Sequence, residues 1–357
     1  MNNDNLVPNE KEEKVRRNRH RYIEKNKISI ATKSSMKMRI LVGLLLACIG
    51  IPCLILGGWW YFALIFVVLL FSIYEIVHAP TNRKFSLFVT LVTYIIIIAL
   101  VFWLALKSYL KLIETDPNYV ININEIFSTT WLSPIAITLM AGTYFLVVVL
   151  KEDFDVADAC YLIAMGIIVA LAFQSILYLR YAPYQLFKNN PDYTYINVES
   201  PIFQHLHSVG LIVYILIGTM FNDIGAYFVG VLFGRNKINP RISPNKTYEG
   251  FWGGIVISAL LSFGFAFILA TFNYPILPNL SMDKWYWIVL LSVSMPLVAN
   301  LGDFTFSAIK RYFGIKDFSK IFGPHGGALD RFDSLLFVAI MVTSLLTLIN
   351  NNWNFLS

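Results

Sequence analysis

Charge is scarce in this chain of 357 residues: Asp, Glu, Lys and Arg make up 14% of it, against roughly a quarter in a soluble domain. That shortage excludes an ordinary water-soluble enzyme and a self-repelling disordered tail. Cysteine is scarcer still. The three present, Cys48, Cys53 and Cys160, all lie inside apolar runs, so they supply neither a disulfide framework nor a thiolate metal set. Met1–Lys37 contains no apolar stretch of the signal-peptide kind, so no cleavable leader is expected. No internal repeat is visible either, which leaves an inverted-repeat transporter without support. What abounds is apolar: 57% of the residues are hydrophobic and the mean hydropathy is +0.62. The net charge of +6 does not indicate nucleic acid, because the basic residues are split among apolar runs and make no continuous basic face.

Nine runs come near the ~20 residues that a helix needs to cross a bilayer core. They are Arg39–Gly57, Trp59–Val77, Phe85–Leu106, Trp131–Leu150, Ala157–Leu179, Val209–Phe233, Phe251–Phe272, Trp285–Leu301 and Leu335–Ile349. The expected fold class is therefore an all-α polytopic integral membrane protein of about nine transmembrane helices, resident in the cell membrane. With alternating sides, Lys107, Lys111, Arg180, Lys188 and Lys284 fall on one face, and the other 23 of the 28 Lys and Arg fall on the opposite one. The positive-inside rule then places the N-terminus in the cytoplasm and the C-terminus outside. Two outer loops follow, Lys107–Thr130 and Arg180–Leu206. The second carries Tyr181, Tyr184, Phe187, Tyr193 and Tyr195, which read as interfacial anchors.

Polar groups at membrane depth are costly and mark function by default. The sixth run is interrupted by Asn222-Asp223, and Ala226, Gly230 and Gly234 follow at intervals of four, a stripe suited to close helix packing. Next comes an inner loop in which Ser243, Lys246 and Thr247 set two hydroxyls and a cation at the start of the seventh run, where a helix N-terminus suits phosphate. The eighth run ends in Asp303, Ser307 and Lys310. At 100° per residue these share one face, with anion and cation about two turns apart. Lys316, a turn holding His325, Gly326 and Gly327, and then Asp330, Arg331 and Asp333 complete the inner side. Asp303, Asp330 and Asp333 are hard oxygen ligands of the kind Mg²⁺ takes together with substrate phosphates, and the nearby cations suit phosphate oxygens on which charge develops. His78 and Glu75 read as a helix-end polar pair, and His205 and His207 as incidental.

The order of Ser307, Lys310-Arg311, Lys316-Asp317, His325-Gly326-Gly327 and Asp330-Arg331-Phe332-Asp333 resembles the C-terminal signature of the phosphatidate cytidylyltransferase (CDP-diglyceride synthetase) family. The loop Ser243-Pro244-Asn245-Lys246-Thr247 and the element from Asp223 to Tyr227 are similar to two further blocks of that family. The resemblance covers Asn222 to Ser334. Asn245 stands where a Lys is usual, Phe306 where members often carry Glu, and Ala328 where a larger apolar residue is common.

The resemblance implies condensation of CTP with phosphatidate to give CDP-diacylglycerol and pyrophosphate. It implies Mg²⁺ held by Asp303 and Asp330 with Asp333 in support, and a second, monovalent cation such as K⁺. Lys310, Arg311, Lys316 and Arg331 would neutralise phosphates, with Asp223, Ser243, Lys246, Thr247 and Ser307 lining the substrates. Gly326 and Gly327 would let backbone approach a phosphate, with His325 as a hydrogen-bond donor. A phosphate monoester is already largely ionised near neutrality, so no strong base is required. The expected organisation is a basic cytoplasmic segment 1–38, N-terminal transmembrane helices 39–205 and a catalytic region 206–357 with cytoplasmic loops 234–250 and 302–334. The partners are CTP, phosphatidate and the bilayer, with no nucleic acid; family members can be homodimers. A CTP-dependent lipid-alcohol kinase of the polyprenol type and a secondary transporter are the alternatives.

Overall fold

Each apolar run of the sequence is helical over most of its described residues in the computed structural model, which describes residues 30–81, 84–115, 134–323 and 326–350. The chain divides into two compact units, Met1–Leu45 and Leu46–Ser357. In chain order the helices are α1 (Ile30–Leu56), α2 (Gly58–His78), α3 (Leu87–Thr115), α4 (Pro134–Leu150), α5 (Val156–Lys188), the one-turn α6 (Pro201–His205), α7 (Gly210–Phe233), α8 (Tyr248–Thr271), α9 (Trp285–Tyr312) and α10 (Leu329–Asn350). Among the described residues six helices are long and apolar enough to cross a membrane, and Leu41–Leu56, Leu87–Trp103 and Ile135–Leu150 are shorter apolar stretches. The protein is thus an all-α polytopic membrane protein. The basic segment up to residue 29 and the expected outer loop beyond Thr115 lie outside the described residues.

One departure from all-helix matters for the site. The stretch expected to be an irregular loop is an antiparallel hairpin of β1 (Lys237–Asn239) and β2 (Ser243–Thr247), with Lys237 opposite Thr247 and Asn239 opposite Ser243. A two-stranded ribbon has only edge strands, so Pro244 costs it no ladder bond that a central strand would need. Glu249 accepts from the N–H groups of Arg235 and Asn236, tying the start of the hairpin to the first turn of α8.

A continuous apolar core joins α2 (Leu69, Ile73, Ile76) to α5 (Leu162, Val169, Phe173) and α10 (Leu336, Val338, Val342). Outward, large apolar side chains such as Val149, Val231, Leu232 and Phe233 are exposed, as lipid-facing positions require. α7 and α8 pack most closely. A Cβ on Gly254 would stand 2.5 Å from the Asn222 carbonyl, and one on Gly250 would stand 2.6 Å from that of Ala226. Small residues allow this approach where no hydrophobic force drives helices together in lipid.

The expected interfacial tyrosines need correction. α5 runs on to Lys188 instead of stopping at Leu179, so Tyr181, Tyr184 and Phe187 are buried rather than set at a boundary. Tyr181 donates to the Gly58 carbonyl and Tyr184 to Glu199, while Phe187 packs edge-on against Phe203 and His207. Tyr195 alone among the five is strongly exposed, at 61%.

Arg180, read from sequence as a topology charge, is also buried. Its guanidinium donates to the carbonyls of Leu54, Ile55 and Gln204 and to the Ser208 hydroxyl. It therefore satisfies the carbonyls that the last turn of α1 leaves open and ties α1 to the segment before α7. Arg180→Met should strand these acceptors in an apolar setting and lower stability by about 3 kcal/mol. Thermal unfolding in detergent would register the loss, while the protein that remains folded keeps its specific activity.

Candidate active site

Four elements converge at one end of the bundle. α7 ends about three turns beyond Asn222 and Asp223; the hairpin delivers Lys246 and Thr247; α9 brings Asn300, Asp303, Ser307 and Lys310; and α10 begins with Asp330, Arg331 and Asp333. Between α7, the hairpin, α8 and α9 lies an open cavity of about 550 Å³, lined by Asp223, Tyr227, Lys237, Lys246, Asn300 and Asp303 among others.

The central contact is an ion pair between Lys246 and Asp303, from hairpin to α9. The Lys246 ammonium also lies 4.4 Å from the centre of the Phe304 ring, a cation–π geometry. Ser307 donates to Asp303 at 3.2 Å, so the shared face expected on α9 is present. The charge of Asp303 is felt by both Asp223 and Asp333, and that of Asp223 by Asp333. Lys246 and Arg331 attract Asp223, and Lys310 attracts Asp333. Asn222, fully buried, accepts from Asn300, whose amide also donates to the Pro296 carbonyl. That bridge fixes α7 against α9 one residue away from Asp223.

Asp303 and Lys310, about two turns apart on α9, each pair with a residue of another element, Lys246 and Asp330 respectively. Lys310 meets Asp330 at 2.8 Å in an almost closed setting, with the Asp330 side chain only 3% exposed. The second Asp330 oxygen accepts from the Phe318 and Gly327 N–H groups. Both oxygens of Asp330 are therefore engaged within the protein, and this residue braces the loop between α9 and α10.

Other expected site residues lie apart. Arg311 faces away from the Asp303 cavity, donating to the carbonyls of Ile242 and Ile315 beside a separate cavity of about 590 Å³ that Arg241 and Phe313 also line. The two positions of the Lys310-Arg311 pair differ by 100° around α9, which separates them. Ser243 belongs to β2, and the Thr247 hydroxyl caps α8 by accepting from the Gly250 N–H. Lys316 is exposed on the loop after α9. His325 lies outside the described residues. Gly326 has φ +80°, and a Cβ there would stand 2.9 Å from Asp330; a Cβ on Gly327 would overlap the Glu75 carboxylate. The space beside these glycines is filled by carboxylates of the protein itself. Phe306, where a Glu is frequent, is fully buried and edge-on to Phe318 and Phe337, an environment matched to an aromatic ring.

Among the described residues no three His, Cys, Asp or Glu side chains form a ready-made metal cage. The donor set still fits Mg²⁺, which is usually held by one or two carboxylates plus substrate phosphates and water. Asp303, with Asp223 and Asp333 sharing its field and Lys246 supplying a balancing positive charge, has that character. Glu75 and Asn300 were missed as site-building residues. Glu75 signals itself only as an acid at a helix end, because its partners are more than two hundred residues away.

Fold and site together define a polytopic helical membrane protein with a Lys- and Asp-lined cleft open at one end of its helices. The chain belongs to the cytidylyltransferase family, which it matches over residues 37–349. It is 29% identical to a phosphatidate cytidylyltransferase of Bacillus subtilis over 88% of this chain and 98% of that protein. It is 38% identical to the phosphatidate cytidylyltransferase of Staphylococcus epidermidis and 36% to that of Staphylococcus haemolyticus, each over 43% of this chain. The chain spans about half the length, 55%, of these two staphylococcal relatives.

Proposed function

We propose that this protein condenses CTP with phosphatidate to give CDP-diacylglycerol and pyrophosphate, in the cleft lined by Asp223, Lys246 and Asp303. The observation that carries this reading is the convergence of α7, the hairpin and α9 on one Lys–Asp ion pair beside further carboxylates. Family membership and the names of the relatives support the substrates.

In the reaction an oxygen of the phosphatidate phosphate bonds to the α-phosphorus of CTP. The bond from that phosphorus to the bridging oxygen breaks, and its electron pair leaves with pyrophosphate. The lipid phosphate is mostly ionised near neutral pH and needs no strong base. Lys246, with Lys237 lining the same cavity, is placed to neutralise phosphate oxygens as negative charge moves toward the leaving group. Mg²⁺ supplies charge neutralisation on the triphosphate when bound, and Asp303, with Asp223 and Asp333, would hold it. Asp330 keeps Lys310 and the following loop in register with that cluster. The Lys/Arg asymmetry supports a cell-membrane protein whose cleft opens to the cytoplasm, where CTP is available.

Incubation of the full chain in lipid–detergent micelles with α-labelled CTP, phosphatidate and Mg²⁺ tests the reading. Label should enter an organic-extractable lipid and none should come from the γ-position. Lipid labelled only from γ-labelled CTP would identify a kinase instead, and no nucleotide-dependent labelling at all would contradict enzymatic transfer.

A further inference from the structure

Glu75 is the one carboxylate of α2, and it is fully buried among apolar neighbours such as Ile73, Ile76 and Val77. A charge in that setting is tolerated only when donors surround it. Three do, all from the other half of the chain. Ser319 donates its hydroxyl to Oε1 at 2.7 Å, Ala328 donates its N–H to the same oxygen at 2.7 Å, and Leu329 donates its N–H to Oε2 at 2.7 Å. The two N–H groups belong to the opening of α10, where intrahelical partners are missing and the helix dipole favours an anion. Glu75 thus fills, from a distant helix, the place that a local capping side chain usually takes.

The same end of α2 holds the loop at further points. Phe71 packs edge-on against Phe322, and the Thr81 hydroxyl donates to the Phe313 carbonyl at 3.1 Å. From the first turn of α10, Asp330 gathers Lys310, Phe318 and Gly327. Phe318, Ser319 and Gly327 to Leu329 are therefore held by two carboxylates, Asp330 on the first and third of these positions and Glu75 on the others. Gly327 has no side chain where Glu75 requires the room.

We infer that Glu75 is a positioning residue: it fixes the first turn of α10 and the turn before it, so that Asp330 keeps its grip on Lys310 and the loop, and Arg331 and Asp333 stay beside the carboxylates of α7 and α9. Its effect on turnover rests on the function proposed above; its effect on the loop does not. A positioning residue of this kind lowers kcat without weakening substrate binding in proportion, because misplacement is felt most in the transition state.

The test pairs hydrogen exchange with kinetics on the full chain in lipid nanodiscs. Glu75→Gln keeps the volume and one acceptor oxygen, while Glu75→Ala removes the grip. Peptides covering Ala328 and Leu329 should exchange slowly in the native protein, about tenfold faster in Glu75→Gln and faster again in Glu75→Ala, with the rest of α10 unchanged. kcat should fall about tenfold in the Gln variant and about a hundredfold in the Ala variant, with KM for CTP and phosphatidate within about twofold. If Glu75→Ala fails to fold, Glu75→Gln and Ser319→Ala carry the test. Unchanged exchange at these two amides overturns the inference, as does faster exchange with an undiminished kcat. Should the native protein show no cytidylyl transfer, the exchange result alone decides on the grip, and the reading of function fails separately.

Discussion

Asp303→Asn is expected to cut cytidylyl transfer by about a thousandfold while leaving the protein inserted and as stable as before, or slightly more so. The substitution keeps the shape of the side chain and the hydrogen bond from Ser307, but it removes the negative charge that pairs with Lys246. It also removes the negative charge felt by both Asp223 and Asp333, so mutual repulsion within the cluster falls. A residue kept for structure alone would not behave this way, since its loss would lower stability as well. Activity and thermal unfolding measured on one preparation separate the two cases. More than a tenth of native turnover would show that Asp303 holds nothing essential.

Asp330→Asn should fail differently, losing activity by about a hundredfold and stability by about 3 kcal/mol. An Asn can direct its one acceptor oxygen to the Phe318 and Gly327 N–H groups, or to Lys310, but not to both. In the first case an amide donor faces an ammonium donor, and in the second two loop N–H groups lose their acceptor. Either choice leaves a buried polar group unmatched. Chemical denaturation in mixed micelles would read the stability loss, and double replacement with Lys310→Met should recover much of it by removing the stranded charge. Loss of turnover at full stability would instead make Asp330 a direct ligand, the role that the sequence pattern suggests for it.

The contrast between these two aspartates shows where sequence reasoning reaches. Helix positions were legible because an apolar run of bilayer length has few alternatives, and the Asp303–Ser307 face followed from helical periodicity alone. The Lys246–Asp303 and Lys310–Asp330 pairs were not legible, because each depends on how separate elements cross. Both cations were read from the sequence as phosphate binders; in the structure their first partners are carboxylates of the protein. Arg311, adjacent to Lys310 in sequence, turns to a different cavity for the same reason of helical phase. The buried tyrosines of α5 were misread because nothing in the local pattern marks the helix as continuing past Leu179 to Lys188. Glu75 and Arg180 were both noticed but read locally, Glu75 as half of a helix-end polar pair and Arg180 as a topology charge, because each lies near the end of a span. Each instead satisfies backbone groups at a helix terminus that lies far away in the chain.

We expect the carboxylates of α7, α9 and α10 to act together in holding a divalent ion on the nucleotide. Electron paramagnetic resonance titration of the full chain with Mn²⁺ in place of Mg²⁺, in nanodiscs and with CTP present, tests it most directly. One Mn²⁺ should bind per chain when CTP is supplied, and that binding should be lost in Asp303→Asn. Equal Mn²⁺ binding by native protein and Asp303→Asn would contradict it.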